Sequence, residues 1–413
     1  MIILIASVFG TAIGIGVSVE DDSSLSGENV AVEDAVEIKD WYDLNATREN
    51  LSADYVLMNN LDEDTDGYDE LVDTEDGWPP IGSEERSFTG RFYGNGYSIS
   101  DLYINRSRIG YDHIGLFGNL GGSGLIEDVV LIDVDVTGSQ SIGGLVGYLD
   151  GTLMGSYATG YVHGAQMVGG LIGFNNGTVR SLYTSVEVGA DPVYFPASAS
   201  VGGLTGINQG EIFSSYSIGK VITTESNAGG LVGYNYGLVS NSYARGNVEG
   251  FDYEVTHIGG LVGWNNQGVV ENSYSTGNVN GTDYVGGLVG RNTDSMVRDS
   301  FWDVESSGQD NSDGGTGKTT SEMKDVATYT DTDNEGLNEP WDFVGDPYDD
   351  ESDEDIWDID EDEVINDGYP FLSWEEEDDD EEDDDDIPGF TSLTLVLGVM
   401  IAVAIYQKKK EWR

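Results

Sequence analysis

Cysteine is absent from the 413 residues, so the chain has no disulfide framework, no thiolate metal site and no cysteine nucleophile. Histidine is scarce, with three residues, and no His-Glu-x-x-His pair is present, which removes the zinc-protease helix from consideration. Basic residues are few: 17 stand against 77 acidic ones, a formal net charge of -60. A chain so negative repels a phosphate backbone instead of releasing its counterions, and nucleic acid is excluded as a partner. The same charge destabilises a compact fold unless salt screens it. The acidity therefore reads as adaptation to a salty environment, with specific cation binding as the sharper alternative. Proline is limited to 8 residues, and without a Gly-X-Y period the 58 glycines do not make collagen.

What is abundant is glycine in register. Gly-Gly-Leu-x-Gly starts at Gly143, Gly169, Gly202, Gly229, Gly259 and Gly286, after a degenerate copy at Ile114-Gly115-Leu116-Phe117-Gly118. The spacings of 26 to 33 residues lie in the range of solenoid repeats. An apolar residue precedes each glycine pair (Ile142, Val168, Val201, Ala228, Ile258, Val285). Further on come Ser156-Tyr157, Ser215-Tyr216, Ser242-Tyr243, Ser273-Tyr274 and Ser300-Phe301, with Leu182-Tyr183 in the third unit. Short alternating runs bounded by Gly and Asn read as strands, and no stretch here keeps a 3.6-residue period. One unit cannot bury its own apolar face, so units must stack. The fold class expected is all-β, a repeat β-solenoid (β-helix) of about seven coils. Leu145, Leu171, Leu204, Leu231, Leu261 and Leu288 would form one core ladder and the tyrosines a second. Glycine would serve where φ is positive or where coils approach too closely for a Cβ.

These residues resemble the GLUG-motif repeats of bacterial and archaeal surface proteins. The similarity reaches upstream to Asp54-Tyr55-Val56-Leu57, Gly77 to Gly82 and Phe88 to Ile99, as leader coils. Downstream it takes in Ser300-Phe301-Trp302-Asp303, Trp341-Asp342-Phe343 and Gly368 to Trp374, as a closing segment. The resemblance implies a β-helix with a surface or adhesive role and brings no catalytic residues with it.

The ends carry different signals. Ile2 to Val19 is apolar or small and resembles the h-region of a secretory signal, without a basic n-region; a retained N-terminal helix is the alternative. Glu375 to Asp386 is a run of acids, expected to be a solvated, self-extending spacer. Pro388-Gly389-Phe390 follows, then an apolar stretch to Tyr406 and Lys408-Lys409-Lys410. That order resembles the PGF-type C-terminal sorting signal of archaeal surface proteins. The resemblance implies an archaeosortase that removes the helix and a lipid that replaces it. The alternative is an ordinary membrane anchor, its lysines cytoplasmic and the body outside. The organisation expected is signal peptide 1–19, leader coils 20–113, repeats 114–302, acidic closing segment 303–374, spacer 375–387 and sorting signal 388–413.

Candidate chemistry is thin. Asp62, Asp64, Asp66 and Asp73, with Gly67 at the turn, have the spacing of a calcium loop; a solvated inter-strand loop is the alternative. His113 and His257 share a slot that elsewhere holds Ser141, Met167, Ser200, Asn227 and Tyr284, which reads as a surface turn position. Gly314 to Thr319 imitates part of a phosphate-binding loop but has Ser312 where a glycine is required and no preceding apolar strand, and reads as a turn. Only sixteen acids lie between Ile114 and Trp302, in differing slots, so no carboxylate cleft is expected, although β-helices do host polysaccharide-cleaving enzymes. Tyr148, Phe174, Tyr234 and Trp264 follow the motif and align on one face, either in the core or outward as a platform for sugar rings. Asn45, Asn50, Asn105, Asn176 and Asn280 head N-glycosylation sequons. The function expected is non-catalytic adhesion or recognition at the cell surface, with a polysaccharide or envelope glycoprotein as partner and no cofactor beyond the calcium candidate. A purely architectural rod is the alternative and a polysaccharide-degrading enzyme the third.

Overall fold

The computed structural model describes residues 35–108, 112–190, 199–224, 227–251, 257–344, 355–360 and 365–375. The chain divides into two compact units; the first, Met1–Glu33, falls outside these residues, and the fold is that of the second, Asp34–Arg413. The expected signal peptide and the sorting signal at Pro388, Gly389 and Phe390 also lie outside the described residues.

The chain is an all-β parallel solenoid. Each repeat coil contributes one short strand to each of the first two sheets and one long or several short strands to the third, and every ladder between coil strands pairs in parallel because each coil returns to the same edge one strand-width further on. The first sheet has ten strands, from Val36–Ile38 to Met296–Arg298. Ten rungs at about 4.8 Å make a stack roughly 45 Å long. The second sheet has seven strands, from Phe117–Leu120 to Val289–Thr293. The third includes the 13-residue strands Val130–Ile142 and Tyr157–Gly169 and ends at Thr316–Lys318.

Four recurring devices make a rung. Leu116, Leu145, Leu171, Leu204, Leu231, Leu261 and Leu288 are fully buried in one continuous core. The motif glycines serve close approach rather than unusual torsion: none has a left-handed φ, and a Cβ on Gly202 would lie 2.1 Å from the Thr205 carbonyl oxygen and 2.7 Å from that of Leu231. The serines of the Ser-Tyr pairs close a corner. Ser215 Oγ donates to the Phe213 carbonyl at 2.7 Å and accepts from the Leu182 amide at 3.1 Å. Ser242, Ser273 and Ser300 repeat this pattern. A buried asparagine ladder runs through Asn175, Asn208, Asn235, Asn265 and Asn292, each Nδ2 donating to the next Oδ1 at 2.7 to 2.9 Å. Such ladders satisfy a buried amide only when the next rung carries the same residue.

The tyrosine ladder exists, but outside the leucine core. Tyr157, Tyr183, Tyr216, Tyr243 and Tyr274 stack at 4.6 to 5.0 Å on the outer side of the third sheet. They belong to a second apolar cluster supplied by the closing segment through Tyr329, Trp341, Phe343, Trp357, Tyr369 and Leu372. That segment runs back along the stack: Trp374 Nε1 donates to the Ser214 carbonyl at 3.2 Å, and Tyr274 Oη donates to the Pro370 carbonyl at 2.5 Å. Glu375, the first acid of the expected spacer, is part of this fold and not of a solvated tail. It accepts from Tyr243 Oη at 3.0 and 3.1 Å and from the Leu372 amide at 2.7 Å.

Both ends of the stack are covered, as a solenoid requires. Trp41 and Trp78 (ring centroids 5.4 Å apart), Phe88, Phe92 and Phe117 fill the leader end. At the other end the phosphate-loop imitation is a further rung: Thr316–Lys318 pairs with Phe301–Asp303, and Lys318 Nζ lies over the Phe301 ring. A strand there, not a turn, uses the free edge left by the last repeat.

Candidate functional site

The register of the second sheet aligns Asn119, Tyr148, Phe174, Ile207, Tyr234, Trp264 and Arg291, one per rung. Strand alternation turns this position away from the residues that follow it, the buried Leu149, Asn175, Asn208, Asn235 and Asn265. Beside it runs the slot of His113, Ser141, Met167, Ser200, Asn227, His257 and Tyr284. His113, Ser141 and Met167 have left-handed φ inside third-sheet strands, and Tyr284 has it just before one, so the slot is a kink in a strand rather than a turn, and its rings lie against the neighbouring line. It is not simply a surface position, because His257 is only 5% exposed.

Two aromatic groups result. His113, Tyr148 and Phe174 stack at 5.0 Å per step, with 4° between the Tyr148 and Phe174 planes. Burial is the first cause that pushes Tyr148 above the ordinary phenol range, and Asp150 adds to it. The second group joins Tyr234, Tyr236, Trp264, His257, Tyr284 and Arg291. Tyr234 lies 4.4 Å from Tyr236 and 4.8 Å from Trp264, and His257 lies 4.7 Å from Trp264 and 5.0 Å from Tyr284. Tyr284 and Tyr236 are the open rings, 53% and 40% exposed.

The polar tips of Tyr234, Trp264 and His257 are held. Asn266 Nδ2 donates to Tyr234 Oη at 2.7 Å, and Trp264 Nε1 donates to Thr293 Oγ1 at 3.2 Å. His257 bridges Asn227 Oδ1 (2.5 Å from Nδ1) and Arg291 Nη1 (3.2 Å from Nε2). The arginine can only donate, so Nε2 accepts and Nδ1–H donates to the amide oxygen, which is the neutral tautomer. Burial, and next the Arg291 charge, lowers the His257 pKa to about 4, in agreement with that assignment. Burial first, then its contact with Tyr236, pushes Tyr234 up to about 12. With the His257 pKa at about 4 and that of Tyr234 at about 12, these two side chains keep one protonation state at neutral pH, and the aromatic group offers rings with fixed edges. It has the chemistry of a stacking platform, not of acid–base catalysis.

The other sequence candidates are dispersed. Asp62 Oδ1 closes its own turn by accepting from the Asp64 amide (3.1 Å) and Thr65 Oγ1 (2.7 Å), while Gly67 takes φ 94° before the short helix Tyr68–Leu71. Among the described residues no three acidic or histidine side chains gather as a metal cluster, so Asp62, Asp64, Asp66 and Asp73 are not brought together. Of the sequons, Asn50, Asn176 and Asn280 are exposed; Asn45 and Asn105 are half-buried, and Thr47 of the Asn45 sequon is fully buried. The expected lack of an acid-lined cleft needs correction. A groove of about 940 Å³ on the third sheet gathers Asp73, Asp101, Asp133, Asp135 and Glu187 with Tyr68, Tyr103 and Tyr161. Stacking adjacent coils brings together acids that occupy different slots in the sequence.

The GLUG motif matches residues 224–249 and 255–280, the two rungs that present Tyr234, Tyr236, His257 and Trp264. Two of the repeats are GLUG repeats. Over 89 residues the chain is 40% identical to halomucin of Haloquadratum walsbyi, a match that covers 21% of this chain and 1% of halomucin. Over 79 residues it is 40% identical to a candidate Gly-rich membrane protein of Evansella cellulosilytica, covering 19% of this chain and 9% of that protein. The crystal structure of a candidate immunoglobulin A1 protease from Bacteroides ovatus superimposes with a TM-score of 0.50 at 18% identity, over 82% of this chain and 92% of the other. That likeness establishes the β-helical fold alone.

Proposed function

We propose that this GLUG-repeat chain is a cell-surface recognition protein that binds extracellular or envelope polysaccharide on the outer face of its second sheet, without turnover. The observation that carries the reading is the line of outward rings whose polar ends are already held by Asn266, Thr293 and the Asn227–His257–Arg291 chain. A prearranged aromatic platform loses little side-chain entropy on binding, and successive rungs repeat it along a polymer. The surface location rests on the similarity to halomucin and to a Gly-rich membrane protein, on the acid excess, and on the resemblance of Pro388-Gly389-Phe390 to an archaeosortase signal with lipid attachment. Among the described residues no helix is long and apolar enough to cross a membrane, and the apolar stretch from Phe390 lies outside them.

The test is binding of the full-length protein to isolated envelopes and to a panel of polysaccharides in high salt, with and without calcium, with polymer length measured afterwards. Saturable binding of intact polymer, weakened about tenfold or more by Trp264→Ala, supports the reading. No binding leaves the architectural rod. The acid-lined groove gives the enzyme alternative a location, and shortened polymer whose cleavage is abolished by Asp135→Asn would establish it.

A further inference from the structure

Arg291 places a cation in the outward line of a chain whose net charge is -60. It occupies the last rung of the outward line, where the preceding rungs hold Tyr234 and Trp264. Its guanidinium carbon lies 5.0 Å from the Trp264 ring centroid and 5.2 Å from that of Tyr284, so the cation is packed against two rings. Three other cations of the repeats are neutralised, Lys220 by Glu249, Arg245 by Asp367 and Arg298 by Glu271, while Arg180 lies over the Phe213 ring at 4.5 Å, away from this line of rings. Arg291 has no ion-pair partner among the described residues. The Asp313 carboxylate, from the segment that follows the last coil, accepts instead from the Asn292 amide at 2.7 Å. One Arg291 donor goes to neutral His257. A guanidinium has five donors in a planar fork, so this arrangement leaves a fixed, uncompensated fork beside a ring platform.

We infer that Arg291, held against Trp264 and Tyr284, is the carboxylate-reading point of a subsite for an acidic sugar, a uronate residue within an extracellular polysaccharide. The inference rests on the polysaccharide-binding reading and names its ligand class. Tyr284 and Tyr236, the open rings that pack beside His257 and Tyr234, offer the faces on which a sugar ring lies; the fork beside them matches the two oxygens of a planar carboxylate bidentately. His257 is a positioning residue, since it bonds Nη1 and fixes the plane of the fork. Elsewhere the acidic surface repels a polyanion, and salt that shortens the Debye length to a few ångströms leaves this close contact in force.

The test uses full-length protein in high salt and compares polygalacturonate, the same polymer methyl-esterified, and dextran sulfate by titration calorimetry. Polygalacturonate is expected to bind about 10- to 100-fold more tightly than its ester, the range of one charge-assisted bidentate contact. Arg291→Gln removes that preference; Arg291→Lys restores only part of it, because an ammonium lacks the fork. Trp264→Ala weakens both polymers. Circular dichroism melts of each variant separate loss of the contact from loss of the fold. Equal affinity for polygalacturonate and its ester, or a preference that survives Arg291→Gln, overturns the uronate subsite while the Trp264-dependent platform stands. Dextran sulfate bound as tightly as polygalacturonate would show charge without carboxylate geometry and overturn it too. Failure of every polymer to bind overturns both this inference and the reading beneath it.

Discussion

At the scale of single residues, burial shifts Glu375 and His257 in opposite directions. His257 stays neutral because burial, and next the charge of Arg291, disfavours its protonated form. Burial pushes the Glu375 carboxyl up to about 7, although the Leu372 amide and the hydroxyls of Tyr243 and Tyr216 oppose the shift. The native state therefore holds a proton that the unfolded chain, with an ordinary glutamate near 4.5, has already released. In that window the folded form binds more protons, so stability falls as pH rises from about 4.5 through 7 and stays lowered above. Glu375→Gln keeps an acceptor for Tyr243 and removes the charge. It is expected to be more stable than wild type at pH 8, by about 1–2 kcal/mol once discounted for the half-buried stem, and indistinguishable at pH 4. Urea unfolding at the two pH values checks this, and an unchanged difference between them would refute it.

At the scale of the rung, spacing is set by backbone contact. The Gly202 methylene faces two carbonyl oxygens, one in its own coil and one in the next, so Gly202→Ala must push rungs apart or break Leu204–Leu231 packing. A loss of about 1–3 kcal/mol is expected from overpacking against backbone that cannot rotate away. Gly122→Ala is the internal control, since nothing lies within 4 Å of an added Cβ, and should change stability by no more than about 0.5 kcal/mol. Thermal melts of the two variants side by side decide it. The asparagine ladder imposes a similar rule: Asn235 accepts from Asn208, donates to Asn265 and accepts the Gly237 amide, so a gap at one rung leaves amides unpaired on both sides.

At the scale of the molecule, the closing segment is a strap. Phe301 and the tyrosine ladder would form an exposed aromatic strip without the closing segment; Tyr329, Trp341, Phe343, Trp357, Tyr369 and Leu372 cover it and convert it to a second core. The same segment brings further acids onto a body already carrying -60, so repulsion is a whole-molecule term. Raising sodium chloride from 0.1 M to 1 M shortens the Debye length from about 10 Å to about 3 Å and should raise the melting temperature by several degrees. A melting temperature independent of salt would mean that the charges are already neutralised by bound cations.

The sequence by itself determined the coil. Period, glycine pairs and leucines stated which residues recur, and recurrence in a stack means contact with the same residue one rung away, which is why the leucine ladder and the in-register strands could be read directly. The two faces were a different matter. Tyr157 and Tyr148 are each outward aromatics of an alternating strand, yet one line is buried and the other open. Only tertiary structure decides between them, because the cover over the tyrosines comes from Trp357, Tyr369 and Trp374, up to 160 residues further along the chain. The acid-lined groove and the unpaired Arg291 were hidden for the same reason: each is a sum over neighbouring coils, and a coil's neighbours are fixed by stacking, not by the order of residues within it.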